Sequence, residues 1–195
     1  MISLNQLPNV ITVARILLVL PIVGLILAGE FGWALFVFFA AGMTDGVDGY
    51  LARRFGWVSR FGAIADPLSD KALMLGALCA LTWQQIIPLW LFVLLMVRDV
   101  VIVSGGVTYH YLIGPFRMKP TKLGKGNTLA QILFVLFAMV LMTQWSWLPS
   151  WVNVDTFVMT QWVIAGLALL SGGEYVYLWS IKALRGRIDT ELEKR

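Results

Sequence analysis

Six apolar stretches, at about residues 8–28, 33–52, 63–82, 87–109, 124–144 and 157–181, constrain this chain more than any other feature. Each is close to the roughly 20 residues that cross a hydrocarbon core about 30 Å thick. Inside that core, backbone polar groups find no water, so a spanning segment must be an α-helix or part of a closed barrel. Runs of this length, without strict alternation, select helices. Of the 195 residues, 59% are hydrophobic and 13% charged, against about 25% charged in soluble domains. We therefore expect an all-α integral membrane bundle of six transmembrane helices, forming one domain over residues 1–195. The first stretch has no Lys or Arg before Arg15 and no small-residue cleavage site near Gly29. It is expected to be a helix of the mature protein rather than a signal peptide.

Cations set the expected orientation. Arg53, Arg54 and Arg60 follow the second segment, and Arg117, Lys119, Lys122 and Lys125 lie between the fourth and fifth. Lys182, Arg185, Arg187, Lys194 and Arg195 end the chain. The intervening loops, about 29–32, 83–86 and 145–156, hold no Lys or Arg, whereas Trp33, Trp83, Trp145, Trp147 and Trp151 gather there. The positive-inside rule and the aromatic belt agree: both termini are expected on the cytoplasmic side of a multi-pass inner-membrane protein. The alternating charges of residues 183–195 read as a solvated helix end at the interface. One Cys (Cys79) and one His (His110) exclude an intrachain disulfide and a Cys/His zinc site. The net charge of +4 reflects this topology, and nucleic-acid binding is not expected.

Within these segments stand Asp45, Asp48, Asp66 and Asp70. A carboxylate at bilayer depth costs about 2.5–3.5 kcal/mol, so four require a neutralising partner. At about 1.5 Å per residue, both pairs lie roughly 5–12 Å beneath the cytoplasmic boundary. Asp45/Asp48 are spaced i,i+3 and Asp66/Asp70 i,i+4, so each pair shares a helix face. Four oxygen donors suit hard divalent ions, Mg²⁺ or Mn²⁺, and two such ions can clamp a diphosphate. Gly46, Gly49, Ala52 and Gly62 remove bulk beside them, and Arg53 is placed to meet a phosphate or an aspartate. Two alternatives stay open on the residues alone. One is a transporter or channel. The other is a structural ion network of the aspartates with Arg15, Arg53, Lys71 and Arg98.

The spacing Asp45-x2-Asp48-Gly49-x2-Ala52-Arg53-x8-Gly62-x3-Asp66-x3-Asp70 resembles the signature of the CDP-alcohol phosphotransferase family. Asn9-x2-Thr12-x2-Arg15 is similar to that family's N-terminal element. The resemblance implies six transmembrane helices, a homodimer, and transfer from CDP-diacylglycerol to an alcohol with release of CMP at a site facing the cytoplasm. It implies two metal ions held by Asp45, Asp48, Asp66 and Asp70, with Asp70 also the general base. Asn9, Thr12, Gly49, Ala52, Arg53, Ser59 and Gly62 are assigned to the CDP-lipid.

For the acceptor we single out Arg98, Lys119, Lys122 and Lys125. Arg98 falls inside the fourth segment; Asp99 is adjacent, but neighbouring helical residues do not face each other. Gly124-Lys125-Gly126-Asn127-Thr128 is not a phosphate loop, since no strand precedes it. Two branches of the family fit, one using phosphatidylglycerol and the other glycerol 3-phosphate. Arg98-Asp99 and the stretch Met118 to Thr128 look more like the former.

Overall fold

The computed structural model describes the backbone of residues 7–55, 60–113 and 121–193, and the side chains of 16–44, 69–106 and 121–181. Among these residues there are six helices and no strand: α1 Leu7–Leu27, α2 Phe31–Phe55, α3 Arg60–Trp83, α4 Leu89–Ile113, α5 Lys122–Thr143 and α6 Val154–Glu193. The expected segments lie within four residues of these bounds, except at the end of α6. That helix runs on to Glu193 because no proline interrupts it. At 40 residues it is about 60 Å long, twice the thickness of a hydrocarbon core.

The chain divides into two compact units. The first comprises Met1–Pro88 with Val135–Val154. In it, α1 packs against α2 and α3. Ile22 and Ile26, one turn apart, are fully buried, as are Ala77 and Leu81 of α3. Small residues let the helix backbones approach. A Cβ added at Gly76 would come within 2.8 Å of Val19 Cγ1 and 3.2 Å of Val23 Cγ2. Both valines are stiff at χ1 and cannot turn aside easily.

The helix ends of this unit are closed by backbone geometry. After α1, Gly29 takes φ +80°, its N–H donates to Ile26 O at 3.0 Å, and Glu30 N–H donates to Leu25 O at 2.9 Å. This is a Schellman closure, and glycine is the residue that adopts it without strain. α3 ends the same way around Gln85, with φ 60° and Gln85 N–H to Thr82 O at 2.9 Å. The neighbouring Gln84 Nε2 donates to Ile26 O and Leu27 O, at 3.1 and 2.9 Å. It thereby gives Ile26 O a second donor beside Gly29 N–H and supplies one to Leu27 O, in the last turn of α1. Trp145 lies 3.7 Å from a Cβ placed on Gly32 and stacks on Trp147 at 5.1 Å. The start of α2, the ends of α1 and α3, and the loop after α5 are thus brought together at one end of the unit. Trp33, Trp83, Trp147 and Trp151 are all exposed there, as an aromatic belt requires.

The second unit comprises Leu89–Phe134 with Asp155–Arg195. Phe134 of α5 stacks on Phe157 of α6, centroids 5.2 Å apart, and Trp90 lies against Trp162 at 5.1 Å. Gly105 of α4 admits the Trp179 ring so closely that a Cβ there would fall 1.1 Å from Cζ3. On α4, Leu91 and Leu95 are fully buried, while Leu89, Val93, Val97, Val100 and Val103 recur on the exposed side. A helix apolar on both faces is adapted to lipid rather than water. Among the described residues, three stretches are long and apolar enough to cross a bilayer: Leu89–Gly106, Lys122–Thr143 and Val154–Ile181. Within the described residues, α1 and α2 contribute the shorter apolar stretches Ile16–Leu27 and Phe31–Thr44.

Candidate active site

The aspartates fall where the helices of the first unit lie on either side of one short connection. Asp45 and Asp48 are on α2, Asp66 and Asp70 on α3, and residues 56–59 link the two helices. α2 stays helical through Gly42, Gly46 and Gly49, although each glycine costs about 1 kcal/mol relative to alanine. In lipid, opening the backbone would cost more. The i,i+3 and i,i+4 spacings therefore become shared helical faces, as expected. Of the four, Asp70 has a described side chain; it is exposed, with buried Ser69 before it and exposed Lys71 after it. The donor set is oxygen-only and carried on unbroken helices, so these residues fit hard divalent cations.

Several assigned residues lie outside the described side chains. They are Asn9 and Thr12 on α1, Asp45, Asp48, Gly49, Ala52 and Arg53 on α2, and Gly62 and Asp66 on α3. Ser59 and Lys119 are outside the described residues altogether.

Within the second unit, Thr121 caps α5. Its Oγ1 accepts from Gly124 N–H at 3.0 Å, the usual bond from an N-cap to the third helical residue. Its own N–H donates to the Tyr175 hydroxyl of α6 at 3.3 Å. Lys122 and Lys125 follow in the first turn, both exposed. Cations there oppose the helix dipole, so this end of α5 is positive twice over.

Arg98 departs from expectation. Its Nη1 donates to Asp99 Oδ1 at 2.8 Å, with side chains 10% and 17% exposed. Adjacent Cβ atoms do diverge on a helix, but the long arginine side chain folds back far enough to reach its neighbour. Nη2 donates to Ser171 Oγ of α6 at 2.6 Å, a partner 73 residues away. The charge at Arg98 is thus balanced from within its own helix.

Sequence reasoning gave no role to Asn127, Gln131 or Glu174. Asn127 is 1% exposed and Gln131 5%. Neither end of the Asn127 amide is hydrogen-bonded, and Gln131 Nε2, Glu174 Oε2 and Arg98 Nε are likewise buried without a partner. Buried polar atoms are satisfied in more than about nine cases in ten, so such a group was detectable only from the packing.

Comparison with known proteins accounts for the motif. The pattern of CDP-alcohol phosphatidyltransferases matches residues 5–171. A cardiolipin synthase (CMP-forming) of Streptomyces coelicolor is 34% identical over 163 residues, covering 80% of this chain and 74% of its own. The rat cardiolipin synthase (CMP-forming) is 35% identical over 147 residues, 66% of this chain; the match spans about half of that relative, 48%. A CDP-diacylglycerol–glycerol-3-phosphate 3-phosphatidyltransferase of Bacillus subtilis is 32% identical over 187 residues, covering 87% of this chain and 93% of its own. Transporters and purely structural networks are set aside, and the chain belongs to the CDP-alcohol phosphatidyltransferase family of transferases.

Proposed function

We propose that this protein transfers the phosphatidyl group of CDP-diacylglycerol to phosphatidylglycerol, forming cardiolipin and CMP. The observation that carries the reaction is the spacing of Asp45, Asp48, Asp66 and Asp70 on two consecutive helices inside the matched region. The acceptor is supported by the relatives from Streptomyces coelicolor and rat, both named cardiolipin synthase (CMP-forming). A second reading, glycerol 3-phosphate as acceptor, is favoured by the Bacillus subtilis relative, which aligns over nearly its whole length.

Asp45, Asp48, Asp66 and Asp70 would hold two divalent cations, Mg²⁺ or Mn²⁺, which when bound neutralise the diphosphate and make CMP a better leaving group. Asp70 takes the proton of the acceptor hydroxyl as its oxygen bonds to phosphorus and the bond to CMP breaks. Asn9, Thr12, Gly49, Ala52, Arg53, Ser59 and Gly62 bind the CDP-lipid; the glycines and alanine keep bulk away, and Arg53 pairs with phosphate. Arg98, Lys119, Lys122 and Lys125 serve the acceptor, the lysines steering its phosphate. In this reading residues 1–195 act as one domain, with six membrane crossings, both termini and the site on the cytoplasmic side of the inner membrane, and the protein is a homodimer.

The test supplies labelled CDP-diacylglycerol with each acceptor separately and identifies the product by mass. Cardiolipin from phosphatidylglycerol supports the proposal. Phosphatidylglycerophosphate from glycerol 3-phosphate, without cardiolipin, replaces it with the second reading.

A further inference from the structure

The first turn of α5 is held in an arrangement that local energetics oppose. Lys122 and Lys125 follow the Thr121 cap, and both are exposed. Spaced i,i+3, they share one helix face and repel each other there. Both also meet the positive end of the helix dipole. Gly124, buried between them, lowers the helix propensity further. A turn of this composition is prone to fray. What opposes the fraying comes from α6, within the same unit. The Tyr175 hydroxyl accepts from Thr121 N–H at 3.3 Å, and Thr121 Oγ1 in turn accepts from Gly124 N–H at 3.0 Å. Lys125 N–H donates to Thr121 O at 3.1 Å. A Cβ added at Gly124 would lie 3.0 Å from that hydroxyl and 3.1 Å from Tyr175 Cε2, so the glycine makes room for the tyrosine. The Tyr175 ring is itself seated edge-on against Trp179, centroids 6.1 Å apart.

Were this turn to open, Lys122 would leave the helix and no longer stand beside Lys125. The tertiary bond from α6 therefore keeps two cations together at a place where sequence-local forces would part them. We propose that Tyr175 is a positioning residue for the acceptor: its hydroxyl pins the Thr121 cap so that Lys122 and Lys125 present two cations together to one phosphate. This rests on the reading in which those lysines steer the acceptor phosphate. In this role Tyr175 touches no substrate and acts through the two lysines. The phosphate is a diester in phosphatidylglycerol and a monoester in glycerol 3-phosphate, and a pair of ammonium groups attracts either anion.

The experiment uses the full chain, with phosphatidylglycerol and glycerol 3-phosphate in separate arms; the arm that turns over identifies the source of the phosphate. Tyr175→Phe keeps the ring and removes the hydroxyl alone. It should raise the acceptor KM about fivefold, within what one hydrogen bond supplies, with kcat and the KM for CDP-diacylglycerol unchanged. Lys122→Gln with Lys125→Gln should raise the acceptor KM at least as far. Adding Tyr175→Phe to that lysine variant should do nothing more, because a residue acting through the lysines has no effect without them. Effects that multiply independently overturn the proposal. So does a Tyr175→Phe chain with the acceptor KM of wild type while the lysine variant is impaired. A lysine variant with an unaltered acceptor KM removes the lysines' role, and the proposal with it. If wild type releases no CMP in either arm, the functional reading fails, and thermal unfolding with inorganic phosphate tests the positioning instead. Stabilisation by phosphate over chloride at equal ionic strength, larger in wild type than in Tyr175→Phe and the lysine variant, upholds it; equal shifts in all three overturn it.

Discussion

Replacing Asp99 by Asn tests whether the Arg98–Asp99 pair holds the second unit together. The pair is 2.8 Å long and its side chains are 10% and 17% exposed, so little water reaches it. Removing one partner of such a pair costs about 3–5 kcal/mol, because the remaining charge keeps its desolvation penalty. The Ser171 bond to Nη2 at 2.6 Å survives, and Asn can still accept from Nη1, so the low end, about 3 kcal/mol, is expected. For a chain of this size about 1 kcal/mol moves Tm by roughly 2–4 °C. Asp99→Asn should therefore lower Tm by about 6–12 °C. Arg98→Met with Asp99→Leu removes both charges and should recover most of the loss, as apolar replacements of buried pairs commonly do. Thermal unfolding of the purified protein in detergent reads both, with the acceptor KM measured alongside. A single variant within about 2 °C of wild type, or a double variant no better than the single, refutes the reasoning. If the double variant is stable but uses the acceptor poorly, Arg98 acts on the acceptor beyond its structural bonds.

A chelator should abolish CMP release, and Mg²⁺ or Mn²⁺ should restore it; Asp45→Asn, Asp48→Asn, Asp66→Asn or Asp70→Asn should each lower turnover by about 10³ or more with membrane insertion intact, as read by radiolabelled CMP and membrane fractionation. Lys125→Gln should raise the acceptor KM more than the KM for CDP-diacylglycerol, measured by varying each substrate in turn. Gln85→Gly should raise stability by about 0.5–1 kcal/mol, because glycine takes the φ of 60° that glutamine holds under strain; thermal unfolding checks this. Gly105→Ala should cost at least about 1–3 kcal/mol, since its methyl would overlap the Trp179 ring, and Trp179→Leu in the same chain should recover part of it.

The helices were legible because long apolar runs without alternation select helix by a rule that needs no tertiary knowledge. Bilayer-length apolar runs located α1 to α5 within four residues at each end. The family was legible because the aspartate spacing resembles its signature, and the residues of that spacing fall on α2 and α3. What depended on packing was not legible. Arg98–Asp99 was missed because the i,i+1 rule describes where side chains start, not how far an arginine reaches. Ser171 had no signal as the partner of Arg98 across 73 residues. The closure at Gln85, with φ 60°, and the left-handed backbone of Gln144, with φ 49°, carry no turn residue to announce them. Asn127 follows a basic run, which suggests a wet interface, yet it is 1% exposed. Nothing in the sequence sets Gly105 apart, yet the Trp179 ring packs against it.

The second unit is not packed for the greatest stability its helices allow. Each unmet buried polar group costs about 1–3 kcal/mol, and apolar side chains at Asn127 and Gln131 would remove that cost within the same helix. In the first unit, by contrast, branched residues close up around Gly76, and the Gln84 amide bonds to carbonyls at the end of α1. The same chain leaves an amide with both ends unbonded at Asn127. In a bilayer such a group is dearer still, since no solvent reaches it. Apolar side chains of similar volume at Asn127 and Gln131 should therefore raise Tm, as read by thermal unfolding, and an unchanged or lower Tm refutes the cost assigned to the unmet amides.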